Sequence, residues 1–220
     1  MRKIYLFFFI SLGCLIFSCE EEIEPASFDP QLEFQPLEIG RFWIYEADQT
    51  IHFGENDSED FSFFVRDRIR STYANAEGNL VYIVERSRSE DQSAWVKELD
   101  YTLQIKDLSL LRTVNNQPVV ALSFPPEAGK IWNGLAYKAE GMDEFEIESV
   151  NSEQARVKQE ALDDEVTIRD IRYEVFQKEV GLIEKYSEVV TYCSRNDCLG
   201  QQLINGGEKI HLKLIEYGKN

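Results

Sequence analysis

From residue 41 onward the chain alternates between apolar and polar positions far more than it repeats at helical spacing. Phe42 and Ile44 oppose Trp43 and Tyr45, so the first stretch, 41–53, begins apolar on both faces and suits a strand covered on both sides. A polar turn at 55–60 leads into a second strand, 61–72, and a turn containing Gly78 leads into a third, 80–88. The pattern then predicts strands at 95–105 and 108–114, with Asn115-Asn116-Gln117-Pro118 turning the chain into 119–124. Phe124-Pro125-Pro126 cannot continue a ladder, and 131–134 follows as a loop carrying Trp132, a large aromatic of the kind that plugs a sheet opening. Further strands are expected at 145–150, 155–159, 166–168 and, after Asn205-Gly206-Gly207, at 210–217. Only 169–186 is ambiguous, being rich in Glu, Lys and Arg. Gly181 in its middle favours a strand, a turn at 179–181 and a second strand over 182–192. The class is all-β.

Ahead of the domain, Arg2 and Lys3 precede an apolar run from Ile4 to Phe17, too short for a span of about 20 residues and suited to a processed signal. The run ends at Leu15-Ile16-Phe17-Ser18-Cys19 and turns acidic at Glu20-Glu21-Glu22. This stretch resembles the lipobox of bacterial lipoproteins, which implies acylation of Cys19 and removal of residues 1–18. Cys14 also follows a glycine, but Ser11 stands where an aliphatic residue is expected, and cutting there would leave 15–17 apolar and exposed. Each acyl methylene contributes roughly 0.8 kcal/mol, so several chains hold such a protein on the outer membrane. The three glutamates resemble the signal that sends many Bacteroidota lipoproteins to the cell surface; a solvated tether on the periplasmic face is the plainer alternative. With Pro25, Pro30 and Pro36 spaced through polar residues, 19–36 is expected to be an extended acidic tether and 37–220 the β domain.

The charge narrows the partners. Arg2 and Lys3 are the only charges in 1–18, so maturation takes the net charge from -17 to -19. That excludes general affinity for nucleic acid or anionic headgroups and leaves neutral glycans, cations and basic protein patches open, so an envelope protein or a glycan is the expected partner. At 43% hydrophobic and 12% aromatic residues, the chain is able to build a core.

Pro36-Leu37-x-x-Gly40-x-x-Trp43-x-Tyr45, together with Gly181-Leu182-Ile183, resembles a group of secreted β domains common in Bacteroidota lipoproteins and largely without assigned activity. The resemblance implies a single antiparallel, strongly curved sheet or partly open barrel, with a two-sheet sandwich as the alternative. It implies no catalytic residues and no cofactor.

Candidate chemistry is sparse. Cys193 and Cys198 enclose four residues of turn-forming type, which suits a disulfide at a hairpin tip. A zinc half-site would need partners, and only His52 and His211 exist; a redox pair usually has two intervening residues. No serine lies in a nucleophile-elbow pattern. Acidic turns at 57–60 and 163–165 lack the spacing and glycine of a dedicated Ca²⁺ loop, so no metal site is expected. Arg66, Arg68 and Arg70 alternate and would share one strand face, with Arg86 and Arg88 near them if the two strands pair. The stripe is either cross-strand pairing with acids or a docking site for an acidic partner, and Trp132 is a second candidate contact. Trp43, Trp95 and Trp132, with Tyr45, Tyr101 and Tyr137, are expected to be core before they are a sugar-stacking groove.

The sequence therefore favours a lipid-anchored, surface-facing lipoprotein that acts as a non-catalytic binding or scaffolding subunit of the envelope. One rival is a carrier holding an apolar ligand in a curved-sheet cavity. Another is a carboxylate-based glycan hydrolase, which requires a cleft with acids of raised pKa.

Overall fold

The computed structural model of the chain describes residues 28–54 and 57–220. Twelve strands follow one another: β1 (Arg41–Gly54), β2 (Asp57–Ala74), β3 (Leu80–Ser89), β4 (Val96–Lys106), β5 (Ser109–Val114) and β6 (Gln117–Ser123), then β7 (Ile131–Asn133), β8 (Glu144–Val150), β9 (Gln154–Asp163), β10 (Ile168–Gln177), β11 (Gly181–Tyr192) and β12 (Ile204–Lys219). They form one antiparallel sheet in the order β6-β5-β4-β3-β2-β1-β12-β11-β10-β9-β8-β7. Two six-stranded meanders are thus joined through the long β1–β12 ladder, in which Arg41 lies opposite Lys219 and His52 opposite Gly207.

The sheet coils into a nearly closed barrel, as its curvature-generating features require. Bulges interrupt the ladders, among them those at Ile44/Tyr45, Ile69/Ser71, Arg86/Ser87 and Val175/Phe176. Each bulge bends its strand and increases its twist, which lets an open sheet curl on itself. The two edges meet at β6 and β7. There Val120 N–H donates to Gly134 O at 2.8 Å, and Trp132 Nε1–H donates to Val120 O at 2.8 Å. Trp132 also stands edge-on to buried Phe145, ring centres 6.0 Å apart. It closes the seam, consistent with an aromatic plugging a sheet opening.

Alternation puts one face of each strand inside. On β2 the buried series is Phe63, Val65, Asp67 and Ile69; on β1 it is led by Trp43, Tyr45 and Ala47. Tight turns set the register. Asn115 and Asn116, with φ of 50° and 60°, adopt the left-handed pair that a two-residue hairpin needs, and Asp107-Leu108 does the same with 49° and 56°.

Several boundaries differ from the sequence reading. The turn at 55–60 is shorter, because β2 already begins at Asp57. The loop around Trp132 contains a short strand, and 166–168 is largely the approach to β10. Asn205-Gly206-Gly207 belongs to β12. Gly207 lies so close to β11 that a Cβ would come within 2.2 Å of Val189 O, so glycine here permits ladder contact and is not a breaker. The segment up to Pro36 is also not all tether. Leu32–Phe34 forms a 3-10 turn, Phe34 is fully buried, and Glu33 O accepts the Glu179 amide at 2.8 Å. The packed body therefore begins ahead of Leu37. The ambiguous stretch is two strands, split at Gly181 as expected.

Replacing Trp132 with Phe keeps the ring against Phe145 but removes the donor to Val120. The expected cost is about 1 kcal/mol in denaturant unfolding, with faster amide hydrogen exchange concentrated in β6 and β7.

Candidate functional site

The most unusual chemistry lies inside the barrel. Asp67 continues the inward series of β2, and its register partner on β3 is Arg86, so their side chains meet on the inner face. Arg86 grips the carboxylate with two bonds, Nε at 2.8 Å and Nη2 at 2.6 Å, and Tyr101 OH from β4 donates to it at 2.9 Å. A second group spans the lumen. Arg112 of β5 reaches Glu174 of β10 at 2.5 Å, and Lys185 of β11 stands 3.4 Å from the same oxygen. β5 and β10 lie far apart in the sheet order, so this pair bridges opposite walls. Glu174 is fully buried and Asp67 nearly so, at 1% exposure.

Between them remains a cavity of about 60 Å³, lined by Arg86, Tyr101, Arg112 and Lys185 with Leu99 and Leu182 closing it. The electrostatics follow from burial. Burial would raise the Glu174 carboxyl, but the charges of Arg112 and Lys185 outweigh it and hold the pKa below the usual range. Burial, and then the Arg112 charge, push Lys185 down to about 8 against the opposing pull of Glu174. For Arg86, burial is overcome by the Asp67 charge and hydrogen bonds, and the guanidinium is held more firmly protonated. Burial and the Asp67 charge drive both Tyr45 and Tyr101 upward.

The two parts of the Trp–Tyr and Gly–Leu pattern meet at one end. Trp43 Nε1–H donates to Val180 O at 2.6 Å and Tyr45 OH to Leu182 O at 3.0 Å, flanking Gly181. Gly181, at φ 105°, has no room for a Cβ, which would lie 2.8 Å from the Gln35 side chain. These aromatics are core members, as is Tyr101.

On the outer wall, Arg66, Arg68 and Arg70 share a face as expected. Arg86 does not join them, because Asp67 and Arg86 are opposite one another on the inner face and the arginines at 66, 68 and 70 alternate away from it. Arg88, paired with inward Val65, lies 3.6 Å from the Phe63 ring. Arg66 sits over Trp95 at 4.5 Å, Arg68 faces Glu85 across the ladder, and Arg70 approaches Glu85 only to 4.0 Å. Arg68 Nε is buried with no acceptor among the described residues. Burial, then the charges of Arg68 and Arg70, lower the Arg66 pKa.

A second outer feature was not expected from the sequence. Tyr173, Tyr186 and His211 lie side by side on β10, β11 and β12. The tyrosine rings stack at 5.3 Å, the imidazole meets Tyr186 edge-on, and Arg156 covers Tyr173 at 3.5 Å. Glu184 accepts from Tyr173 OH at 2.9 Å and contacts His211 Nε2 at 2.7 Å. Such cross-strand contacts fix register. His52 pairs with Ser58 and Gly207 in β1, remote from any such cluster.

Cys193 and Cys198 are joined, with Cα atoms 5.8 Å apart, in the connection between β11 and β12. The turn at 163–165 spends its carboxylates on itself: Asp164 accepts backbone N–H bonds from Val166, Thr167 and Ile168, and the Thr167 hydroxyl and these amides lower its pKa. Among the described residues no group of three or more His, Cys, Asp or Glu is disposed to hold a metal ion. Cys19, the signal and Glu20-Glu21-Glu22 lie outside the described residues.

Lys185 gives the interior a pH signature. The charged groups facing it are Glu174, whose pKa is held below the usual carboxylate range, and Arg86 and Arg112, whose guanidinium pKa values are raised, while the Tyr101 phenol on the same cavity is pushed upward. A lysine whose folded pKa is depressed binds fewer protons than in the unfolded chain between that pKa and its ordinary value. Its cost is therefore present below pH 8 and relieved as pH rises toward 10. Wild-type stability in urea should gain a positive contribution between pH 8 and 10 that Lys185→Met lacks, and identical profiles would contradict this.

No protein-family model matches the chain, and no curated protein matches it. Among solved structures it is similar to a protein from Bacteroides fragilis described as exported and as having a YMCC-like fold, at 8% identity and a TM-score of 0.41, over 84% of this chain and 99% of that one. It is also similar to a protein from Parabacteroides distasonis described as a lipoprotein, at 10% identity and a TM-score of 0.39, over 84% of this chain and 98% of that one.

Proposed function

We propose that the chain is a lipid-anchored envelope protein that works by binding or scaffolding through its outer wall. The observation carrying this reading is that, among the described residues, the three arginines on the outer face of β2 make a single ion pair, Arg70 to Glu85 at 4.0 Å, with Arg68 opposite the same glutamate and Arg66 opposite Ser87, while the protein as a whole is strongly acidic. A positive stripe with unspent donors on a negative molecule attracts an acidic surface and orients it. An acidic protein patch or an anionic glycan has the matching chemistry.

The interior argues against the carrier alternative. A carrier needs a large apolar cavity, whereas this lumen is filled by core side chains and ion pairs around about 60 Å³ of space with cationic walls. For the glycan hydrolase alternative, the displaced carboxyls Glu38, Asp91, Asp163, Asp164, Glu174 and Glu184 all move down, and a general acid requires the opposite. Trp132 is engaged in the barrel seam, so the arginine stripe is the better docking candidate.

The anchor rests on the residues around Cys19. Mass spectrometry of the membrane-extracted protein should find a chain beginning at Cys19 with a thioether-linked diacylglyceryl group; an unmodified thiol on a chain that retains Met1 would contradict it. Recovery of bound partners from the protein's own membrane tests the stripe. The triple change Arg66→Gln, Arg68→Gln and Arg70→Gln should lose the partners that wild type retains, and equal recovery would remove the arginines from the interface.

A further inference from the structure

The charges around the cavity do not balance. Arg86, Arg112 and Lys185 face Asp67 and Glu174 there, so the cations of this group outnumber its carboxylates by one. Asp67 is fully engaged, whereas Glu174 is engaged through Oε1 alone, its Oε2 being buried with no hydrogen-bond partner among the described residues. Asp67 takes two bonds from Arg86 and one from Tyr101, while Glu174 Oε1 takes Arg112 and Lys185. The cations have donors left over. Arg86 uses Nε and Nη2, which leaves Nη1; Arg112 uses Nη2, which leaves Nε and Nη1. These atoms do not belong to the sealed, unpartnered set, and the side chains keep 26%, 15% and 32% of their surface accessible for Arg86, Arg112 and Lys185.

A buried excess charge is costly unless it is neutralised or finds a counter-ion. The charged side chains lining the cavity are all cations, with the Tyr101 ring and apolar residues completing it. Its volume of about 60 Å³ compares with about 30 Å³ per water in the liquid, which leaves room for two waters or one halide-sized ion.

We propose that the cavity inside the barrel is a binding site for a small monovalent anion, chloride or one of similar size, held by Arg86, Arg112 and Lys185. The ion completes the charge balance of the lumen and ties β3, β5 and β11 together from within. Deprotonation of Lys185 removes the excess charge, so the site releases its anion as pH rises through about 8.

The test uses the full protein in non-ionic detergent. Thermal unfolding is followed in sodium chloride and in sodium gluconate of equal ionic strength, since gluconate is too large for the cavity. At pH 7, chloride at ten times its Kd should raise Tm by about 3–6 °C over gluconate, saturably. The increment should vanish at pH 9.5 and in Lys185→Met, which keeps the Arg112–Glu174 pair. Chlorine-35 line broadening of the wild type, present at pH 7 and lost at pH 9.5, gives a second readout that needs no variant. Equal Tm values in the two salts with no excess broadening, or an increment unchanged by Lys185→Met or by pH 9.5, would overturn the proposal and leave the cavity to water.

Discussion

The ion pair between Arg112 and Glu174 crosses the lumen from β5 to β10, joining walls that the ladders connect through β1 and β12 and that otherwise meet at the β6–β7 seam. A fully buried carboxylate is tolerable only if its partner stays in place, and Arg112 stays in place only if the sheet remains coiled. The charge pair and the closure of the barrel therefore support each other. The Trp132 seam, the bulges and the Trp43 and Tyr45 bonds around Gly181 serve the same geometry from the edge, the wall and the end.

This arrangement separates what the inside and the outside can do. Inside, aromatic and aliphatic side chains meet a network of five charges, and the remaining space admits only something very small. Outside, the wall carries the arginines of β2 and the mutually engaged tyrosine–histidine row of β10 to β12. The proposed recognition at the outer wall rests on this division between a filled interior and a charged exterior.

Much of the fold was legible because a half-buried strand has a period of two. The apolar-rich run 61–72 marked β2, Asn115-Asn116-Gln117-Pro118 marked the turn between β5 and β6, and Gly181 split the charged stretch into β10 and β11. The interior network was not read, although Asp67 stands within the inward series of β2. Its neighbours Arg66 and Arg68 place the concentrated charge of this strand on the outer face, and the local pattern does not encode that Arg86 arrives opposite Asp67. Glu174 is harder still, because bulges at Arg172/Tyr173 and Val175/Phe176 shift the alternation on either side of it. Contacts across the lumen, such as Arg112 to Glu174, depend on closure, and no local pattern encodes them. The burial of Phe34 escaped for a similar reason: a proline-spaced acidic stretch resembles a tether until a barrel mouth exists to receive its aromatic.

A double-mutant cycle on Arg112 and Glu174 tests the central claim most directly. If the pair holds the walls together from within, Arg112→Met or Glu174→Gln alone should each cost about 3–5 kcal/mol in urea unfolding, by leaving a buried charge without its partner. The double variant should then cost clearly less than the two together. Small single-variant costs that simply add would contradict it, and would mean that the barrel closes without any contribution from the charges at its centre.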